Sequence, residues 1–221
     1  MQTQRSAQPR GGTAGGIGLA EVAARSRRLV SRVRFDAGRP CLNLLATIGQ
    51  RGVAPVERLP APADFAAWLV AAGLVDGPAP VSEGDLEQMR RLRDAIGTVV
   101  DATRRHRAPA AEAIALVNAH AAHPTPRPAL AADGRTATRH SDHPLRAALA
   151  VLARDLIDLV TGPDLARVRE CAAPDCRMLF LDTSRGARRR WCSMTRCGNR
   201  AKARAHAART RRLTTPRPFL P

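Results

Sequence analysis

Four of the five cysteines in this chain fall in one short stretch, as Cys171-x4-Cys176-x15-Cys192-x4-Cys197. Two paired hooks around a short insert are what a tetrahedral Zn²⁺ requires, because each hook delivers two thiolates from one tight turn and the insert folds the hooks together. Two disulfides would use the same residues. The first residues, however, lack the apolar stretch of a secretory signal, and a chain kept in a reducing compartment holds its thiols free. The spacing therefore predicts one structural zinc ion, ligated by Cys171, Cys176, Cys192 and Cys197. Four thiolates close the coordination shell and leave no position for water or substrate, so the chain reads as a non-enzyme.

Charge narrows the partner. The chain carries 36 Lys+Arg against 19 Asp+Glu, a formal net charge of +17. From Arg167 to Arg217 there are fifteen basic residues against Glu170, Asp175 and Asp182, so most of the excess sits beside the cysteines. Such a field attracts polyanions, most often nucleic acid. Only one basic residue is lysine, Lys202, and Tyr is absent. That skew resembles a GC-rich coding bias, which accounts for Arg over Lys and not for the location of the charge. Some arginines, Arg196 and Arg200 above all, are expected to offset the −2 charge of a Zn(Cys)₄ centre.

Upstream, residues 1–31 are rich in Gln, Gly, Ser and Arg and read as a disordered extension, with a short amphipathic helix allowed from Leu19. Residues 32–162 read as a mostly helical domain. Val33 and Phe35 alternate with Arg34 and Asp36 as in a short strand, and a second buried element, Cys41 to Ala46, follows a Gly38-Arg39-Pro40 turn. Asp64 precedes Phe65, Trp68, Leu69 and Ala72 at helical spacing, with Gly73 as the stop. Ser82 and Asp85 have capping-box spacing ahead of a stripe of Leu86, Met89, Leu92, Ile96, Val99 and Thr103, which leaves Arg90, Arg91 and Arg93 for the solvent face. Pro109 opens a helix carrying Ile114, Val117 and Ala121. The Asp133-Gly134 pair suits a hairpin turn. Ser141 or Asp142 then caps a helix with Pro144 in its first turn and Leu145, Leu149, Leu152, Leu156 and Leu159 along one side, ended by Gly162-Pro163. The stripes from Phe65 to Leu159 are expected to form a core independent of zinc, joined at about Thr161 to Leu165 to a basic module over 165–212 and a tail over 213–221. The fold class is mainly α with small β elements, an α+β chain.

Within the module, Met178 to Leu181 reads as a strand, Asp182 to Gly186 as a turn and Arg188 to Trp191 as the returning strand of a hairpin. A helix after Cys197 has nothing to break it before Pro216. Hook, hairpin, hook and helix together resemble a treble-clef zinc finger. With so little apolar material such a module depends on its metal to fold.

The residues Cys171-Ala-Ala-Pro-Asp-Cys176, Phe180-Leu-Asp182-Thr183-Ser184, Arg190-Trp191-Cys192-Ser193-Met194 and Cys197-Gly198-Asn199-Arg200-Ala201-Lys202 closely resemble the bacterial CGNR zinc-finger family. Proteins with this finger carry an upstream ABATE domain, described as stress-induced transcription regulators. Gly38 to Thr47 and Trp68 to Leu74 resemble its opening motif and next helix, with Asn43 and Ala46 where Asp and Asn are expected. The resemblance makes the four cysteines the zinc ligands. It makes Arg188, Arg189, Arg190, Arg196, Arg200, Lys202, Arg204 and Arg209 the nucleic-acid face. Asn199 has two readings, a contact to adenine or a helix cap, of which the cap is favoured. Trp191 is expected in the module's small core.

Other signals are weaker. His120-x2-His123 and His140-x2-His143 could ligate a second metal, but they lie in or beside Pro-rich loops without a partner cysteine. Cys41 reads as a buried small hydrophobe. The expected function is a cytoplasmic, nucleoid-associated transcription regulator that binds double-stranded DNA and no membrane, with a homodimer and an unknown small-molecule or protein signal at the N-terminal domain left open. The rivals are an RNA- or ribosome-associated zinc protein and a non-catalytic adaptor for acidic proteins. Only 3% of residues are aromatic, which disfavours recognition of single strands by base stacking.

Overall fold

The computed structural model describes residues 32–77 and 79–214, with side chains through 210. The extension and the possible helix from Leu19 lie outside the described residues, as do the last residues of the tail.

Three helices form the body: α3 (Glu83–Arg104), α4 (Ala111–Ala121) and α5 (Pro144–Thr161) pack on one another, while α1 (Pro40–Leu45) lies against α3 and α5 and α2 (Pro62–Ala71) against α3. The apolar stripes explain this packing. Leu86, Met89, Leu92, Ile96 and Val99 of α3 and Leu149, Leu152, Leu156 and Leu159 of α5 are all buried. The capping box at α3 forms: Ser82 Oγ accepts from the Asp85 N–H at 3.2 Å, and Asp85 Oδ2 accepts from the Ser82 N–H at 2.9 Å. Two short antiparallel pairs decorate the body, β1 (Ile48–Gly49) with β2 (Val56–Glu57) and β3 (Arg127–Leu130) with β4 (Ala137–His140). Gly134 turns the second at φ 63°. No helix among the described residues is long and apolar enough to cross a membrane.

Several local expectations change. Residues 33–36 form no strand, because Arg34 and Asp36 pair with each other at 2.6 Å and Phe35 stacks on Trp68. The element after Pro40 is a helix, with proline at its first position where no N–H is needed. Asn43 helps to hold that turn, its Oδ1 accepting from the Ala37 N–H at 2.9 Å. The α2 helix starts earlier than expected, at Pro62, and Asp64 reaches back to the Ala61 N–H. His143 rather than Ser141 or Asp142 is the α5 N-cap. Ile114 is exposed, and Val117 with Ala113 fills the buried side of α4.

Arg93 is also misplaced by the stripe: it is 3% exposed. It reaches Glu57 at 2.6 Å and Thr47 Oγ1 at 2.9 Å, clamping the β1–β2 pair to α3. Burial pushes the Glu57 carboxyl up, but the Arg93 guanidinium outweighs this and holds it below its ordinary 4.5. The unfolded chain then binds the proton more readily, so this stabilisation is present above about pH 4.5 and is lost as pH falls through the lower folded value. Arg93→Ala should cost about 2–3 kcal/mol near neutral pH. In a urea titration the gap to the parent should narrow in acid, and a constant gap would show that the pair contributes only packing.

The C-terminal module adds β5 (Val168–Glu170), β6 (Leu179–Leu181), a π turn at Met194–Gly198 and α6 (Asn199–Thr214). Here the hairpin differs from the one expected inside the insert. β6 pairs antiparallel with β5, Val168 opposite Leu181, so the first hook is the loop of the hairpin and residues 188–191 form no strand. The cause is Asp182, fully buried: Oδ1 accepts from the Ser184 N–H and hydroxyl and Oδ2 from the Arg189 N–H, curling the return segment away from β6.

The body and the module share one core. A single buried cluster runs from Val33 through Leu159 to Phe180, Cys192 and Cys197, so the expected independence of the N-terminal stripes from the metal module is not seen. Leu181 N–H donates to the Ala37 carbonyl at 2.8 Å, and Arg104 of α3 pairs with Glu170 at 3.3 Å. Two glycines permit the approach. A Cβ at Gly38, whose φ is 90°, would meet the Leu181 Cβ at 2.8 Å, and one at Gly52 would meet the Pro174 carbonyl oxygen at 1.7 Å. Gly52→Ala should therefore force the β1–β2 loop off the first hook. We expect a loss of about 2 kcal/mol, a fall in Tm of about 4–8 °C. An unchanged melting curve would mean that this seam yields freely.

Candidate metal centre and nucleic-acid interface

Cys171 and Cys176 come from the loop between β5 and β6, Cys192 from the end of the insert and Cys197 from the π turn. Their sulfurs all lie within 4.8 Å of one another. Cys176 and Cys192 are 3.8 Å apart and Cys192 and Cys197 3.5 Å. Zn–S bonds of about 2.3 Å in a tetrahedron set S···S separations near 3.8 Å, whereas a disulfide would need about 2.05 Å. The donor set thus fits zinc, and no cysteine is disulfide-bonded. Among the described residues this is the only metal-capable cluster, and neither histidine pair joins one.

The protein around the sulfurs favours one thiolate, at Cys192. Cys192 is held far below an ordinary thiol by hydrogen bonds from the Cys171 and Cys176 thiols and by the Arg34 guanidinium. Burial and the Cys192 charge push Cys197 up to about 11 in the absence of metal. Arg34 Nη1 donates to Cys192 Sγ at 3.3 Å, and Arg200 Nη2 to Cys197 Sγ at the same distance. Burial works against the Arg34 charge, but Asp36 and Cys192 outweigh it and keep the guanidinium protonated more firmly than usual. Sequence reading placed these neutralising charges at Arg196 and Arg200. Arg200 holds that place. The second is Arg34, 158 positions before its sulfur, where no local pattern could reveal it.

The remaining arginines divide by what they touch. Arg189 is structural: Nη2 donates to the Cys192 carbonyl at 2.5 Å and the guanidinium lies 4.9 Å from the Phe180 ring centroid. Arg200 and Arg204 both pair with Asp175, at 3.2 and 3.3 Å, which lays the start of α6 on the first hook. Arg190 stacks over Trp191 at 5.3 Å with its charge exposed, and Trp191 packs partly buried against the core. Arg188, Arg196, Lys202 and Arg209 are exposed. Gly198 is needed where it stands, since a Cβ there would meet Met194 Sδ at 2.7 Å and Trp191 Cδ1 at 3.4 Å. Asn199 opens α6 with its side chain exposed and, among the described residues, forms no cap hydrogen bond. The favoured cap reading is therefore not supported.

From Lys202 to Thr210 every residue of α6 is exposed, and the helix carries no acid along its length. Amphipathic packing cannot explain such a helix, since over residues 202–210 no face is covered by the described part of the body.

Residues 38–163 match the ABATE family, described as "Putative stress-induced transcription regulator", and residues 167–210 match the CGNR zinc finger. A search of the curated proteins finds no match to the chain. The first match spans more than half of the chain, and the second contains all four clustered cysteines together with the π turn and the exposed helix. On these matches the chain belongs to the ABATE family and carries a CGNR zinc finger that holds one structural zinc ion.

Proposed function

We propose that the chain is a non-catalytic transcription regulator of the cytoplasm that grips double-stranded DNA through its zinc module. The observation that carries this reading is the uncovered cationic helix α6, a rod about 24 Å long at 1.5 Å per residue. A helix of that width enters a major groove, and its small alanines let the backbone approach while Lys202 and Arg209 reach phosphates. Arg188, Arg190 and Arg196 lie on the adjoining module surface and extend the contact. Arg189, Arg200 and Arg204 serve mainly to hold the platform together, through Phe180, Asp175 and Cys197.

The test is selection of genomic DNA fragments by the zinc-loaded chain with RNA and heparin present as competitors. Enrichment of a common duplex sequence is the expected result. Full displacement by RNA would favour the ribosome-associated reading, and no retention of either nucleic acid would favour the adaptor.

A further inference from the structure

A cavity of about 120 Å³ lies at the seam between the body and the zinc module, and its lining is cationic out of proportion to its size. Arg34 and Arg58 enter from the body and Arg196 and Arg200 from the module; the anionic groups on the wall are Asp175 and the zinc ligands Cys176 and Cys197. Two of these charges are already matched, Arg34 by Asp36 and Arg200 by Asp175. Arg58 and Arg196 have no carboxylate partner among the described residues.

Arg58 is the telling case. It is half-buried, its Nη1 donates to the Arg32 carbonyl at 2.6 Å, and its Nε is buried with no hydrogen-bond partner. Burial and the like charges of Arg196, Arg32 and Arg34 work against its protonated state and outweigh the Cys176 sulfur, which favours it. The fold nevertheless makes room for it, because a Cβ at Gly49 would fall 2.2 Å from Arg58 Nη2. A guanidinium on a cavity wall among other arginines, without a carboxylate partner among the described residues, is placed to receive an anion. Ala46 also lines the cavity, at the motif position where an asparagine was expected, so the cleft floor here is apolar and its side-chain donors are the arginines and Gln50.

We infer that this seam cavity binds one small free oxyanion of the phosphate class, held by Arg58 from the body and Arg196 from the module. Such a ligand touches both parts at once and stabilises their packing. It does not depend on the DNA-binding reading, since its capture is measured without nucleic acid.

The experiment uses the zinc-loaded full chain. Calorimetric titration with sodium phosphate, against sodium chloride at equal ionic strength, should show one saturable site per chain. At a hundred times its Kd, phosphate should raise Tm by about 5–10 °C. Arg58→Gln should weaken binding at least tenfold with zinc content unchanged. Arg196→Gln, at an exposed position and with zinc content checked in the same way, should do likewise, whereas Arg135→Gln on the β3–β4 turn should have no effect. Equal losses at Arg135, or a response that chloride reproduces, would overturn the proposal as diffuse attraction to a basic chain. Duplex DNA supplies the remaining arm. Arg58→Gln should leave duplex affinity within twofold in phosphate-free buffer, and a loss comparable to that of α6 variants would assign the cleft to backbone phosphate and overturn a free ligand.

Discussion

Withdrawing zinc from the reduced chain should unfold the C-terminal module and also lower the melting temperature of the N-terminal helices. Binding of a structural zinc contributes on the order of 10–16 kcal/mol, which rivals or exceeds the 5–15 kcal/mol stability of an entire domain. Without metal, four sulfurs confined within 4.8 Å repel as thiolates or pack poorly as thiols. The damage reaches the body because Phe180 and Leu181 belong to its core and Arg34 would lose Cys192. Cys192→Ser should reproduce the effect. Circular dichroism melts and limited proteolysis after chelation would measure it, alongside metal analysis giving one zinc per chain. Helices that melt unchanged in the apo chain would show that the shared cluster carries little energy, and two bound zincs would bring the histidine pairs back.

Replacing Arg188, Arg190, Lys202 and Arg209 together with Ala should nearly abolish duplex binding and leave zinc content intact. Each neutralised phosphate contributes about 0.9 to the slope of log affinity against log salt, so four lost contacts flatten it by about 3.6. At 0.15 M salt this corresponds to a loss of roughly a thousandfold. Among the described residues these side chains touch no acid and no thiolate, so stability should fall by only about 0.5–1 kcal/mol, from loss of the exposed Arg190–Trp191 stacking. By contrast, replacing Arg200 and Arg204 should loosen α6 from Asp175, and a weaker duplex affinity there would be mixed with lost structure. An equal effect from Arg91, Arg105 and Arg135 on the body would reduce the interaction to net charge alone.

The zinc ligands were legible because a tetrahedral site imposes its spacing on the chain within a few tens of residues. The α3 and α5 helices were legible for a related reason: Ser82 with Asp85 and the leucine stripe of α5 are local patterns of period and cap. What could not be read is everything set across the seam. β6 took β5 as its partner because buried Asp182 turns the insert, a preference that strand propensity does not encode. Arg93 flanks Leu92 just as exposed Arg91 does, and it is Glu57, brought opposite by the β1–β2 pair, and Thr47 that draw it inward. Arg34 looked like one more surface arginine on an extended segment.

Those seam residues bear on how portable the finger is. A chimera cut at residue 165 would carry all four ligands and the whole of α6, yet would leave behind the guanidinium that balances Cys192 and the backbone carbonyl that anchors Leu181. It would also present the first hook to a host surface lacking the two glycine-width gaps at positions 38 and 52. On the proposed reading, exchange of specificity between relatives is therefore easier by substitution along the exposed stretch of α6 than by swapping the finger as a cassette, because that stretch is tied to the described part of the chain mainly through Arg204 and Asp175 whereas the metal platform is fitted to one particular body.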